Sequence, residues 1–506
     1  VNYEDNTVSR YTRENFSFAG TWKSGVSDIT GDNAIFQKIK NSQWELKNHF
    51  NQLYTKEKYT WGIRLYIRYT HCPASLTVAH RNLPILFADN MLIANCIYHR
   101  NELSSPDNIS ENTYRTVIGQ THESILAEYE EMNTGNAYTD NVLYGMRKIN
   151  GVNYQLTGGF CGELSSVKQE NAYSAHSYSF YTVPRIEWER NDFLFTAATT
   201  VRWSHLPKQS YSRFCVSPFF CFRYKFTPRW KMSLLGSLDE SEGGLKDIYP
   251  FRYREDYRTV VKHTGKVPVT VRQLYTCYLE YKNTIKEFFW TLSASYSHNR
   301  YNLITERNYK DGNFYLSSVE RNHSSHSYTL NTIGSKGIYD WNLKTSLELT
   351  LARNEGKQLN EGIVQDYRYD YLCIEPKIVW APSVFFEAEY KATVSCVGGG
   401  IGEDTSLDPL WEVAQRLTLS LEFHDTEFRL SGEHFYNDLS KNQHLNIWLA
   451  DVSLIHKVGK WRFAASAINL FNKEQYRYTL YSAVQSYTSW IKLRPREFMV
   501  SVQYQW

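Results

Sequence analysis

Apolar and polar residues alternate one by one along most of this chain, the period of an extended strand with two unlike faces. At the carboxyl terminus Phe498, Val500, Val502, Tyr504 and Trp506 share one face, while Met499, Ser501, Gln503 and Gln505 share the other. Leu343, Leu347 and Leu349 oppose Lys344, Ser346 and Glu348, with Trp341 on the apolar side. Phe386, Ala388 and Tyr390 oppose Glu387, Glu389 and Lys391. Leu417, Leu419 and Leu421 oppose Arg416, Thr418, Ser420 and Glu422, and Phe428 and Leu430 oppose Arg429, Ser431 and Glu433. Strands of this kind, joined as hairpins, predict an all-β protein built on a large antiparallel sheet.

The connections between strands fall into two kinds. Tight turns are predicted near 187–192, 226–230, 282–286, 336–340, 381–383, 425–427 and 458–460. Between them lie polar segments near 236–270, 297–325, 352–367, 397–412, 436–444 and 473–494, rich in Asp, Glu, Asn, Gly, Lys and Tyr. Strands of about ten residues with short turns at one end and long loops at the other describe a transmembrane β-barrel, with periplasmic turns and extracellular loops. About eighteen to twenty-two strands are expected by this pattern. Residues 63–69 and 91–98 read as strands, 101–153 is ambiguous, and 1–41 reads as a strand followed by a loop.

A water-soluble sandwich also alternates, and the tryptophans separate the two. Trp188, Trp230, Trp341, Trp380 and Trp461 all lie beside predicted short turns on the apolar side. Indole rings favour a membrane interface, and a soluble core has no reason to collect them at one end of its hairpins. Composition then stops being an objection. Mean hydropathy is −0.52 and charged residues make up 22%, but only alternate residues of a barrel strand meet lipid. The aromatic content of 16% suits interfacial belts.

The net charge of +3 and the lack of a basic cluster give no reason to expect a nucleic-acid partner. Eight cysteines are scattered without a Cys-x-x-Cys pair, so neither a zinc site nor a disulfide framework is expected. Cys215 and Cys221, six residues apart in one strand, would lie about 20 Å apart and out of bonding range. The sequence holds no nucleophile elbow and no zinc-protease helix, and its 15 His are dispersed. No catalytic residue, metal site or cofactor is predicted. Gly398 to Gly402 reads as a surface loop, and the acidic runs at 239–242 and 403–404 as solvated loop charge.

Toward the end of the chain, Asn469, Leu470 and Phe471, then Tyr476, Pro495, Phe498 and the terminal Trp506, resemble the last two strands of TonB-dependent outer-membrane receptors. The resemblance implies a barrel in the outer membrane of a Gram-negative bacterium, with Phe498, Tyr504 and Trp506 as the signal read by the barrel-assembly machinery. It further implies a plug domain and an inner-membrane energy-transducing complex as partners, besides outer-membrane lipid. No plug segment is recognised in residues 1–506, so the expected organisation is one barrel domain, with the plug in a missing N-terminal part or a separate chain. A receptor taking up a scarce nutrient (chelated metal, glycan, peptide or similar) is the leading function. A plug-less porin-like channel and a surface-binding or enzymatic barrel are the alternatives. If Trp506 carries the assembly signal, Trp506→Ser lowers the amount of folded, heat-modifiable barrel recovered from outer membranes; unchanged recovery refutes that role.

Overall fold

The computed structural model describes residues 2–6, 10–29, 35–56, 59–80, 115–118, 124–168, 172–254, 259–310, 313–402, 405–440, 443–482 and 485–504. One 24-stranded sheet contains nearly every strand, and a separate hairpin pairs Gln475–Ser482 with Gln485–Lys492. Setting aside three pieces of three or four residues, Arg115–Ile118, Arg252–Arg254 and Thr259–Lys262, the strand number falls in the expected range. Successive long strands pair antiparallel with their sequence neighbours, which is the up-and-down order of a transmembrane β-barrel wall. Among the described residues the first and last strands, Asn2–Asn6 and Glu497–Tyr504, are not paired with each other.

The register carries the two faces from strand to strand across the sheet. Leu421, Leu419 and Leu417 stand opposite Phe386, Ala388 and Tyr390 on one side, and Phe428, Leu430 and Gly432 on the other. That row continues through Leu454 and Val452 to Ala465 and Ala467, and ends on Val500 and Phe498. Leu347, Leu417, Leu421, Leu454 and Val500 are all exposed. Ser420 belongs to the opposite row, facing Glu387 and Arg429. An apolar row left bare while charged groups line the other side is a soluble protein turned inside out, the arrangement a barrel adopts in lipid.

The strands are longer than the alternation predicts. Phe288–Lys310 and Asn313–Ile338 run 23 and 26 residues and are joined at 311–312, where a long loop was expected at 297–325. Leu343–Asn360 turns directly into Ile363–Ser383 through Glu361 and Gly362, both at positive φ. Phe386–Ile401 takes the glycine run into the strand instead of a loop: Gly399 has φ +149°, and a Cβ there would meet the Arg368 carbonyl oxygen. The reason is that only the lipid-facing part of a strand needs apolar residues. Above it both faces are polar, the contrast vanishes, and the backbone ladder continues. The segment 473–494 likewise holds a hairpin. Trp341 lies in the turn Tyr339–Trp341 and not in a strand. The expected strand at 91–98 lies outside the described residues.

These faces make an asymmetric prediction. Leu419→Arg should cost about 2–4 kcal/mol in reversible unfolding from lipid vesicles, and Ser420→Arg well under half of that. Equal losses would contradict the register.

Candidate functional site

The short-turn end of the outer face carries a nearly continuous set of aromatic rings. Trp188 packs on Phe193 at 5.3 Å, Trp230 on Tyr281 at 4.8 Å and on Trp290 at 5.9 Å, and Trp380 on Phe386 at 5.9 Å. Trp461 meets Tyr504 of the last strand at 4.8 Å, with Lys460 over the Tyr504 ring. Trp341, in its turn, is exposed at the same end. Sequence reading missed Trp61, stacked on Tyr54 at 4.4 Å, because the turn before it carries no Gly or Pro. Phe498 lies opposite Ala467 at the other end of the last strand, one residue pair from the connection 469–496, and is exposed. Trp506 lies outside the described residues.

A second set of rings lies some eight residues higher, and the sequence reading did not anticipate it. Phe180 pairs with Trp203, and Trp203 with Phe214. Tyr275, Tyr296 and Tyr328 stand side by side, and Trp411 and Trp448 continue the level. Leu343 to Leu351, the apolar stretch between the two levels, is about 26 Å of strand. At the tilt usual in barrels that crosses roughly 20 Å of membrane.

The lumen face is lined with paired charges. Arg185 bonds Glu187 at 2.8 Å, Lys231 meets Glu280 at 2.6 Å, and Arg429 meets Glu427 at 2.9 Å. Arg416 pairs with Glu433 across the strands, and Glu389 lies between Lys377 and Lys391. Most of these side chains remain a third or more exposed, so each pair contributes little to stability and leaves its charge to whatever fills the lumen. Tyrosines join them on one side: Tyr66 and Tyr138 meet edge to face at 6.0 Å, Arg68 lies over Tyr138, and Tyr181 donates to Asp140 at 2.8 Å.

At the end away from the short turns, the connection 243–268 folds back onto the lumen-side face of the wall. It contains a single helical turn, Leu245–Ile248, and the strands Arg252–Arg254 and Thr259–Lys262, which pair antiparallel. Thr259–Lys262 also adds, in parallel, to Phe314–Ser317 of the tall hairpin. Ile248, Tyr249, Tyr253, Val261 and Val267 are buried in a cluster with Met132, Val167, Tyr173, Ala175 and Leu206, all on the lumen side of their strands. Tyr173 receives the Tyr249 ring edge-on at 5.7 Å and the Lys208 ammonium at 3.7 Å. Burial there, well beyond the outer aromatic level, pushes its phenol above the ordinary range, against the pull of its bond from Gln209. Asn302 fastens the end of the connection, donating to the Val267 carbonyl and accepting from the Val269 amide.

Polar groups lie just beneath this cover. Arg202 bonds Glu242 at 3.0 Å and Arg213 pairs with Glu240. The Tyr211 hydroxyl and Gln209 Oε1 are buried without a hydrogen-bond partner among the described residues. Buried polar atoms of this kind are costly unless water or a bound molecule satisfies them. Among the described residues no three His, Cys, Asp or Glu side chains come together as metal ligands.

Asn469, singled out by its motif, is a structural hub. At φ +53° it sits where Asn is tolerated better than most residues. Its Nδ2 donates to the carbonyls of Lys473 and Arg494, its Oδ1 accepts from the Lys473 amide, and its own amide donates to Asp451. Both ends of the excursion between the last two barrel strands are therefore held by one side chain.

No protein-family model matches the sequence, and no curated protein does. Solved structures with some likeness include a variant of the ferric enterobactin receptor from Pseudomonas aeruginosa in complex with enterobactin, at TM-score 0.44 and 11% identity, covering 99% of this chain and 79% of that one. The ferric yersiniabactin uptake receptor of Yersinia pestis gives 0.37 and 8%, over 97% and 77%. A copper transporter, OprC, gives 0.42 and 9%, over 99% and 82%. At such scores the architecture rests on the strand register itself.

The cover depends on its apolar anchor. Ile248→Asp places a carboxylate in a fully buried site, and loss of the side-chain burial alone is worth about 1.5–3 kcal/mol. Amide hydrogen exchange across 259–268 should rise at least tenfold while the barrel strands keep their protection, and Ile248→Val should change it little. An unaltered exchange rate in Ile248→Asp would show that the anchor does not hold the cover.

Proposed function

We propose that this chain is the barrel of a TonB-dependent outer-membrane receptor that takes up a scarce nutrient. The observation that carries the reading is the inward-folded connection: a wide wall with a charged inner face, against whose upper end a segment of the same chain is packed, with unpartnered polar atoms beneath it. A ligand seated there would complete the hydrogen bonds that Tyr211 and Gln209 lack, and its contacts with the cover would couple binding to opening of the lumen. The paired charges and tyrosines of the lumen suit a polar or chelated ligand. Whether this is a metal chelate, a glycan or a peptide is a matter for ligand screening.

The reading assigns the short turns to the periplasm and the tall hairpins to the cell exterior of a Gram-negative bacterium. Trp188, Trp230, Trp341, Trp380 and Trp461 then lie at the inner membrane–water boundary, and Phe498, Tyr504 and Trp506 present the terminal strand to the barrel-assembly machinery. A wall of about twenty strands is too wide for its own side chains to fill. A plug domain, whichever polypeptide supplies it, is therefore the proposed occupant, driven by an inner-membrane energy-transducing complex. The wettable, paired charges of the wall equally favour a second reading, a passive channel.

Planar-bilayer recording separates the two. With residues 1–506 alone, steps should be large, and deletion of 244–266 should enlarge them further. Supplying the plug should abolish steady conductance if the barrel belongs to a gated receptor. Selective conductance that persists with the plug present would favour the passive channel, and a tight, non-conducting barrel formed by residues 1–506 alone would defeat both.

A further inference from the structure

The outer face changes character abruptly at the upper aromatic level, between the strands from Phe288–Lys310 to Phe386–Ile401. Three successive cross-strand rows show it. The lowest runs Ala294, Leu330, Leu351, Leu372, Cys396. One residue pair higher it becomes Tyr296, Tyr328, Arg353, Asp370, Gly398, and the next is His298, His326, Glu355, Arg368, Gly400. Within two residue pairs, hydrocarbon gives way to rings and then to charge.

A groove of about 770 Å³ crosses this boundary. Its floor is the apolar row, and Arg353, Arg368 and Asp370 stand at its upper rim. A second recess of about 480 Å³, with His326, Lys357 and Arg368 on its wall, lies directly above. Gly398 keeps the groove open at one end, since the nearest atom to a Cβ built there is the Pro409 Cα at 3.9 Å.

The rim is arranged to hold an anion. Asp370 accepts from Arg353 Nε at 2.6 Å and from Arg368 Nε at 3.0 Å, which fixes two guanidinium groups side by side. Both side chains are about half exposed, and the contacts with Asp370 are made through the Nε of each. Beside them Arg300 bonds His298 at 3.1 Å, and the His298 and His326 rings meet at 3.2 Å. Planar guanidinium forks match the paired oxygens of a phosphate or a carboxylate.

We propose that this groove is a binding site for one phosphorylated lipid of the outer leaflet, with an acyl chain along the apolar row and a phosphate between Arg353 and Arg368. Depth decides the occupant: Arg353 and Arg368 sit one and two residue pairs above the last leucines, at the level where headgroups meet hydrocarbon, so a lipid reaches both parts of the groove and a free anion only one. The site rests on the outer-membrane reading above and adds a ligand to the outside of the barrel.

Native mass spectrometry of the folded chain, after extraction from vesicles and stripping of loose lipid by detergent, tests it. The probe is hexa-acylated bis-phosphorylated lipid A, compared with the dephosphorylated form and with phosphatidylcholine. The wild type should retain one bis-phosphorylated molecule at least tenfold over either comparator. Arg353→Ser with Arg368→Ser should lose that preference. Gly398→Leu, which fills the groove on a face with room for it and leaves the arginines intact, should lose it too. The lumen variant Arg429→Ser should behave as wild type. Equal retention of the dephosphorylated lipid, or retention unchanged in both groove variants while they remain heat-modifiable barrels, overturns the proposal and leaves the outer-membrane reading standing. Failure of the wild type to insert into vesicles overturns both.

Discussion

In a hydrocarbon layer no water is available for an unpaired amide, so every backbone N–H and C=O must find a partner within the protein. Among the described residues no helix is long and apolar enough to cross a membrane, and strands meet that demand only by pairing with their neighbours. The continuous sheet, the apolar row that runs from Phe386 to Phe498 and the scarcity of apolar runs all follow from it. Once hydrogen bonds are satisfied sideways, only every second side chain has to be compatible with lipid. The other half of each strand is free to carry Glu348, Arg416 or Glu433, which is why average hydropathy says so little about this chain.

That constraint also determines what could be read in the sequence. The faces of five strands in the last third of the chain were legible because burial of polar groups is forbidden on one side and favoured on the other, so Leu417 to Leu421 and Arg416 to Glu422 separate cleanly. Strand ends were legible only where a turn enforces them, as at Asn191, Asn342 and Gly459, all at positive φ. Beyond the upper ring level the solvent is water on both faces, and nothing in the composition of 297–325 marks it as strand. The cover was not legible for a different reason. Ile248, Tyr249 and Val261 are spread over a polar stretch with no period, and their common burial is a product of the barrel bringing Val167, Ala175 and Leu206 to one place.

The two ends of the wall are thus built on different physics. At the short-turn end the side chains have to fit an interface a few ångströms deep, and aromatic rings in mutual contact serve that purpose. At the other end the wall rises far beyond any membrane, and specific contacts take over: a parallel strand addition, an inward apolar cluster, and arginines held in place by a shared carboxylate. Ligand recognition belongs where the fold is no longer dictated by the solvent.

The Asn469 clamp changes how the excursion 469–496 enters the energetics of closure. Bringing together the ends of a flexible segment of that length costs about 3 kcal/mol of chain entropy, which would otherwise fall on the pairing of Trp461–Ile468 with Glu497–Tyr504. By binding Lys473 and Arg494 at once, Asn469 settles that cost at the base of the segment, before the final strand has to zip. What lies between the two anchors is then insulated from assembly. It becomes a position where the chain can lengthen, shorten or change its sequence without disturbing the seam, and so a natural place for the barrel to vary what it displays.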